Sequence, residues 1–149
     1  MTAPVRPRPA SSTRKARSSL QALLKSTVDE QVQQIRAGFP VAWLDQFLEE
    51  TGLPQAETLA VLLLPLRTLA RRRNMGRLSA VESDRLFRLA RLFEQAVELF
   101  EGNREAAARW FAGPVHALGH VSPLEMSATE AGAHEVHLVI GRLEYGVYT

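Results

Sequence analysis

The sequence predicts an all-α protein, and three observations carry that expectation. From Leu20 onward apolar residues recur at helical spacing. Gly and Pro punctuate the segments at Gly38-Phe39-Pro40, Gly52-Leu53-Pro54, Gly102 and Gly113-Pro114. No alternating apolar and polar run lasts long enough to claim a strand. Helices are predicted near 20–37, 41–51, 55–63, 66–74, 80–101, 103–112 and 129–144, with no internal repeat. At 149 residues and 46% hydrophobic composition the chain suits one domain, or two small helical parts sharing a core.

Residues 1–19 are rich in Pro, Arg, Ser and Ala and lack apolar periodicity, so they are expected to form a disordered basic tail. Residues 1–25 carry six basic side chains (Arg6, Arg8, Arg14, Lys15, Arg17, Lys25) and no acidic one, whereas the other 124 hold 12 basic and 16 acidic. The high isoelectric point therefore belongs mostly to the tail and does not mark the folded part as a nucleic-acid binder. Such an arm fits contact with DNA phosphates or no function at all; Pro4, Pro7 and Pro9 break the amphipathic helix that an organelle transit peptide requires. With no cysteine the chain has no disulfide and no thiolate chemistry, which suits a reducing cytosol, and a cytoplasmic location is expected. No apolar run approaches the roughly 20 residues that cross a bilayer, so no membrane partner is expected.

The predicted helix at 55–63 is followed, across an abrupt turn, by Pro65-Leu66-Arg67-Thr68-Leu69-Ala70-Arg71-Arg72-Arg73-Asn74. Leu66 and Leu69 are expected to face inward, while Arg67, Arg71 and Asn74 share the opposite face with Thr68 and Arg72 at its flanks. A helix-turn-helix presents its second helix to the major groove in this way, with Arg pairing to guanine, Asn to adenine, and further Arg side chains such as Arg73 holding phosphates. Against this stands the turn Leu62-Leu63-Leu64-Pro65, which has no glycine to relieve a tight bend. Four arginines in seven residues also fit a helix C-terminus or a cover for an acidic partner.

The next helix opens on an S-x-x-E capping box, Ser79 and Glu82, and carries the stripe Leu86, Leu89, Ala90, Phe93, Ala96, Val97, Phe100. That spacing makes it a core helix. Asp84 and Arg88 stand four apart in the favourable order on its outer side, where Arg85 and Arg91 extend a solvated polar face.

His116 and His120 stand four apart, and His134 and His137 three apart. Both pairs have helical ligand spacing, yet no cysteine and no H-E-x-x-H accompanies them, so no metal site is assigned. There is also no phosphate-binding glycine loop, no G-x-S-x-G elbow and no distinctive carboxylate pair. No catalytic residue and no cofactor are assigned.

The last predicted helix, with Thr129 or Ser127 as its cap and Val136, Val139, Ile140 and Leu143 along it, reaches Tyr145-Gly146, after which only Val147, Tyr148 and Thr149 remain. Two tyrosines, a valine and a carboxylate beside a glycine helix stop are unusual for an idle terminus, which is commonly polar and frayed. The alternative is that Tyr145 and Tyr148 fold back onto the protein's own core.

Several motifs occur in order: Arg67-Thr68-Leu69-Ala70-Arg71-Arg72, Gly76-Arg77-Leu78-Ser79, Glu82-Ser83-Asp84-Arg85-Leu86, Ala106 to Trp110, Pro114, Leu118-Gly119, Pro123-Leu124, Thr129-Glu130-Ala131-Gly132 and Glu144-Tyr145-Gly146-Val147-Tyr148. With that order and spacing the chain, from about residue 28 to 149, resembles the Xre-type antitoxins, partners of RES-domain toxins, with ParS and MbcA among their relatives. The resemblance implies a cytoplasmic bacterial protein without enzymatic activity. It implies a helix-turn-helix-like DNA-binding and dimerisation part, placed at 20–78, and a C-terminal toxin-binding domain, placed at 79–149. The toxin of this family degrades NAD, and the antitoxin's C-terminus blocks its NAD pocket. Carried over to this chain, that role falls on Glu144, Tyr145, Gly146, Val147, Tyr148 and Thr149. Operator reading falls on Arg67, Thr68, Arg71, Arg72, Arg73 and Asn74, in a homodimer. The alternative is a stand-alone helix-turn-helix regulator with no toxin partner. Two departures from the family pattern, His120 in place of a second glycine and Phe111 in place of Leu, are read as changes of packing.

Overall fold

The computed structural model describes residues 20–146, so the expectations for the 1–19 tail and for Val147, Tyr148 and Thr149 lie outside it. The described residues are helical, and the only extended pairings among them are two isolated bridges, Pro40 with Arg77 and Val115 with Val121. After a helical turn at 20–24 come α1 (Val28–Ala37), α2 (Val41–Thr51), α3 (Gln55–Val61), α4 (Leu66–Met75) and α5 (Ala80–Leu99). These are followed by α6 (Arg104–Ala112), a 3₁₀ turn (His116–Leu118), α7 (Pro123–Met126) and α8 (Glu130–Glu144).

The single helix expected over 20–37 is two pieces. Thr27 adopts extended backbone and its hydroxyl accepts from the Glu30 amide, which starts α1 afresh. The carbonyls left open at the end of the first piece are taken up by the Ser26 hydroxyl on Leu23 and by the Gln31 amide on Leu23, Leu24 and Ser26. Leu20 and Leu23 are buried, but α1 itself buries no residue completely.

The α5 helix is the spine. Its Ser79–Glu82 capping box is formed in both directions, with Glu82 N donating to Ser79 Oγ at 3.1 Å and Ser79 N to Glu82 Oε1 at 2.8 Å. Leu86, Leu89, Ala90, Phe93, Ala96 and Val97 are buried, as their spacing predicts, and Phe100 is half-buried. Around this helix pack α1, α6 and α8, while α2 touches α6 and α3 touches α7. The N-terminal and C-terminal helices therefore share one core. An edge-to-face chain of rings makes the link: Phe47 of α2 lies 6.2 Å from Phe93 of α5, and Phe93 lies 5.7 Å from Phe111 of α6.

A second joint holds the α1–α2 loop to the α4–α5 loop. Leu78 N donates to Phe39 O, Val41 N to Gly76 O, the Arg77 guanidinium to Gly38 O, and Phe39 N to the Ser83 hydroxyl. These bonds fix α4 against α2 and the start of α5.

Candidate functional site

The turn before α4 works without glycine because a leucine takes the glycine conformation. Leu63 sits at φ 51°, its amide donates to Ala60 O, and the Leu64 amide donates to Leu59 O. This is a Schellman closure of α3 with buried Leu59 and Leu64 as its apolar contact. A non-glycine residue in the left-handed region costs about 1–2 kcal/mol, which the packing of α3 and α4 must offset.

On α4 only Leu69 is buried. Leu66, expected inward, is 69% exposed. A helical side chain leans over the turn that precedes it, and Leu66 is the first residue of its helix, so it has no such turn to cover. It joins Leu63 and Pro65 on the outer elbow. Arg67, Arg71 and Asn74 are exposed, Thr68 is half-buried, and none of these four makes a side-chain hydrogen bond or ion pair among the described residues.

Arg72 and Arg73 are engaged within the protein. Arg72 holds Glu82 through two parallel bonds, Nε to Oε1 at 2.8 Å and Nη2 to Oε2 at 3.2 Å. Arg73 holds Asp45 of α2 at 2.6 and 2.9 Å. Burial alone would raise the Glu82 carboxyl, but the hydrogen bonds and charge of Arg72, with the Ser79 amide, leave it below the usual carboxylate range. The hydrogen bond to Glu82 in turn raises Arg72, and that to Asp45 raises Arg73. Asp45 was not singled out from the sequence. It lies 28 residues from Arg73, and no local pattern joins the two.

At the other end, Thr129 caps α8 by accepting from the Gly132 amide at 3.0 Å. Gly132 has a steric reason as well, because a Cβ there would overlap the Met126 carbonyl of α7. Val136, Val139 and Ile140 point into the core, and Glu135 pairs with Arg142 at 3.6 Å on the outside. The helix ends at Glu144, Tyr145 is 83% exposed, and Gly146 turns the chain off the helix axis at φ 69°. Tyr145 therefore does not fold back onto the core.

His116 and His120 approach to 3.2 Å across the 3₁₀ turn, and His134 and His137 lie exposed on α8. Among the described residues no three His, Cys, Asp or Glu side chains gather as a metal site. His120 is more than a packing change, since it follows Gly119 (φ 67°) in the same left-handed conformation at φ 66°. Phe111 is fully buried in the aromatic chain. Among the described residues Asp84 and Arg88 make no ion pair.

This architecture defines a helix-turn-helix protein with a helical C-terminal unit built onto the same core. Two family descriptions match the chain, the antitoxin Xre-like helix-turn-helix domain over residues 30–91 and the antitoxin Xre/MbcA/ParS C-terminal toxin-binding domain over 95–146. An Antitoxin Xre of Yersinia enterocolitica is 41% identical over 119 residues, spanning 79% of this chain and 80% of that protein. Antitoxins Xre of Photorhabdus laumondii (34% identical; 76% and 77% covered) and Pseudomonas putida (32% identical; 87% and 83% covered) are also similar. The chain belongs to the Xre antitoxin family. The two matched regions meet inside α5, the helix that both halves pack against. Among the described residues no helix is long and apolar enough to cross a membrane.

Proposed function

We propose that this protein is an antitoxin that neutralises a RES-domain, NAD-degrading toxin by direct binding, with Glu144, Tyr145, Gly146, Val147, Tyr148 and Thr149 blocking the NAD pocket. The observation that carries this reading is the terminus of α8. A long helix anchored by Val136, Val139 and Ile140 ends in a tyrosine that is 83% exposed, followed by a glycine that redirects the chain. A NAD pocket must offer apolar or aromatic surface to rings, and a Tyr-Val-Tyr segment complements such surface. Presentation from a fixed helix lowers the entropy lost on insertion. The function expected of the region 79–149 is thus toxin binding, and it calls for no catalysis by the antitoxin.

The same protein is proposed to repress its own operon as a cytoplasmic homodimer, through Arg67, Arg71 and Asn74 with Thr68 beside them. Arg67 and Arg71, exposed and without side-chain partners among the described residues, stand one turn apart on a helix held at a fixed elbow, an arrangement suited to reading guanine edges in the major groove. Arg72 and Arg73 act in this scheme by fixing α4 on α5 and α2, within the DNA-binding and dimerisation region 20–78.

Co-expression separates the two roles. A chain lacking residues 146–149 should stay folded yet leave cellular NAD unprotected from the toxin, whereas R67A/R71A should lose operator binding and still protect. Full protection by the truncated chain would refute the pocket-blocking reading.

A further inference from the structure

The groove between α5 and α8 is a cavity of about 380 Å³ whose walls carry more cationic groups than the fold uses. Its floor is apolar and closed, formed by Leu92 (4% exposed) and Ala133 (3%). Arg88, Arg91 and Gln95 line the α5 wall; Glu130, His134 and His137 line the α8 wall. Each set recurs at helical spacing, so the two stripes face each other along the groove. Neither Arg88 nor Arg91 forms an ion pair with a carboxylate among the described residues. Arg91 is steadied over the Phe87 ring, 5.6 Å from its centroid, and His137 Nδ1 is held 2.9 Å from Gln95 Oε1. The His134 and His137 rings lie 6.3 Å apart.

We propose that this cleft is a binding site for a phosphate-bearing anion, gripped by Arg88 and Arg91 from one helix and by His134 and His137 from the other. A phosphate offers several acceptor oxygens around one centre, which matches convergent donors from two walls. Glu130 is the one carboxylate in the lining and opposes binding. Lys25, Glu94 and Glu98 line the adjoining hollow that shares Arg91 and Gln95, and Glu94 is already held by Arg104 at 3.0 Å. Arg88 and Arg91 outweigh Glu130, so the lining carries a net positive charge. The site spans the junction of the two matched family regions, which places a small anion where it touches both halves of the protein.

The chain has four histidines, so their ring proton resonances report the site with an internal control. Sodium pyrophosphate titrated into the full-length protein should shift His134 and His137 saturably and leave His116 and His120 in place, an effect that sodium chloride at equal ionic strength does not reproduce. R88Q/R91Q should abolish saturation with an unchanged circular dichroism melt, and E130Q should tighten binding. A duplex DNA arm identifies the source of the phosphate: saturation by pyrophosphate assigns the site to a free molecule, and saturation by duplex alone assigns it to the nucleic-acid backbone. Parallel shifts of all four histidines, no saturation by either probe, or unchanged binding in R88Q/R91Q overturns the proposal.

Discussion

The basic helix α4 and the end of α8 are both exposed and both look functional, but they are built in opposite ways. On α4 the charges divide: Arg72 and Arg73 are spent on Glu82 and Asp45, whereas Arg67 and Arg71 face outward without side-chain partners among the described residues. At the end of α8 Tyr145 is 83% exposed, and the helix behind it is locked by buried Val136, Val139 and Ile140. A run of like charge therefore overstates the surface available to a ligand, because folding consumes part of it. An aromatic side chain that stays exposed, as Tyr145 does, is the more specific signal, since its exposure opposes the hydrophobic effect.

Five substitutions sharpen that contrast. The largest effect is expected from Gly132→Ala, which drives a methyl group into the Met126 carbonyl and unseats α8 from α7. A loss of about 3 kcal/mol in denaturant unfolding, together with lost toxin binding, is the expected result. Next, Arg67→Ala should weaken operator binding by about 1–3 kcal/mol and relax the preference at one base pair in a binding-site selection. Arg72→Ala should instead lower the melting temperature and leave base preference unchanged, which separates the reading arginines from the structural ones.

Acid titration gives the third test. Glu82 has a folded-state pKa below its unfolded value, so its stabilisation is complete above the unfolded carboxylate range and is lost as the pH falls through the folded value. Melting temperatures measured downward from about pH 5 should fall more steeply for the native chain than for Glu82→Gln. The smallest effect belongs to His120→Gly, which removes left-handed strain at φ 66° and should stabilise by about 1 kcal/mol without altering toxin or DNA binding.

Much of the fold was legible because it follows from local chemistry. The Ser79–Glu82 box, the stripe from Leu86 to Val97 and the Thr129 cap all act within a few residues, and each forms as its spacing implies. What escaped depends on distance or on backbone conformation. The Arg73–Asp45 pair joins residues that meet only after folding. The four-residue α7 and the 3₁₀ turn are too short to show a period. Leu63 and His120 adopt conformations that sequence patterns reserve for glycine, so the Leu62–Pro65 turn looked like an obstacle to a helix-turn-helix when it is a closed Schellman turn. The break at Ser26-Thr27 shows the same limit, as helical periodicity runs across a cap without registering it. For the proposed surfaces, the sequence offered candidate residues, and only the folded chain distinguished the α4 arginines without side-chain partners among the described residues from the engaged ones.

Neutralisation is proposed to reside in the terminus beyond α8. The direct measurement is NAD consumption by purified toxin in the presence of equimolar full-length chain or of a chain ending at Tyr145, with complex formation followed by size-exclusion chromatography. Both chains should bind toxin, and only the full-length chain should stop NAD loss. Equal inhibition by the two would contradict that proposal and assign neutralisation to the surface of the helical domain.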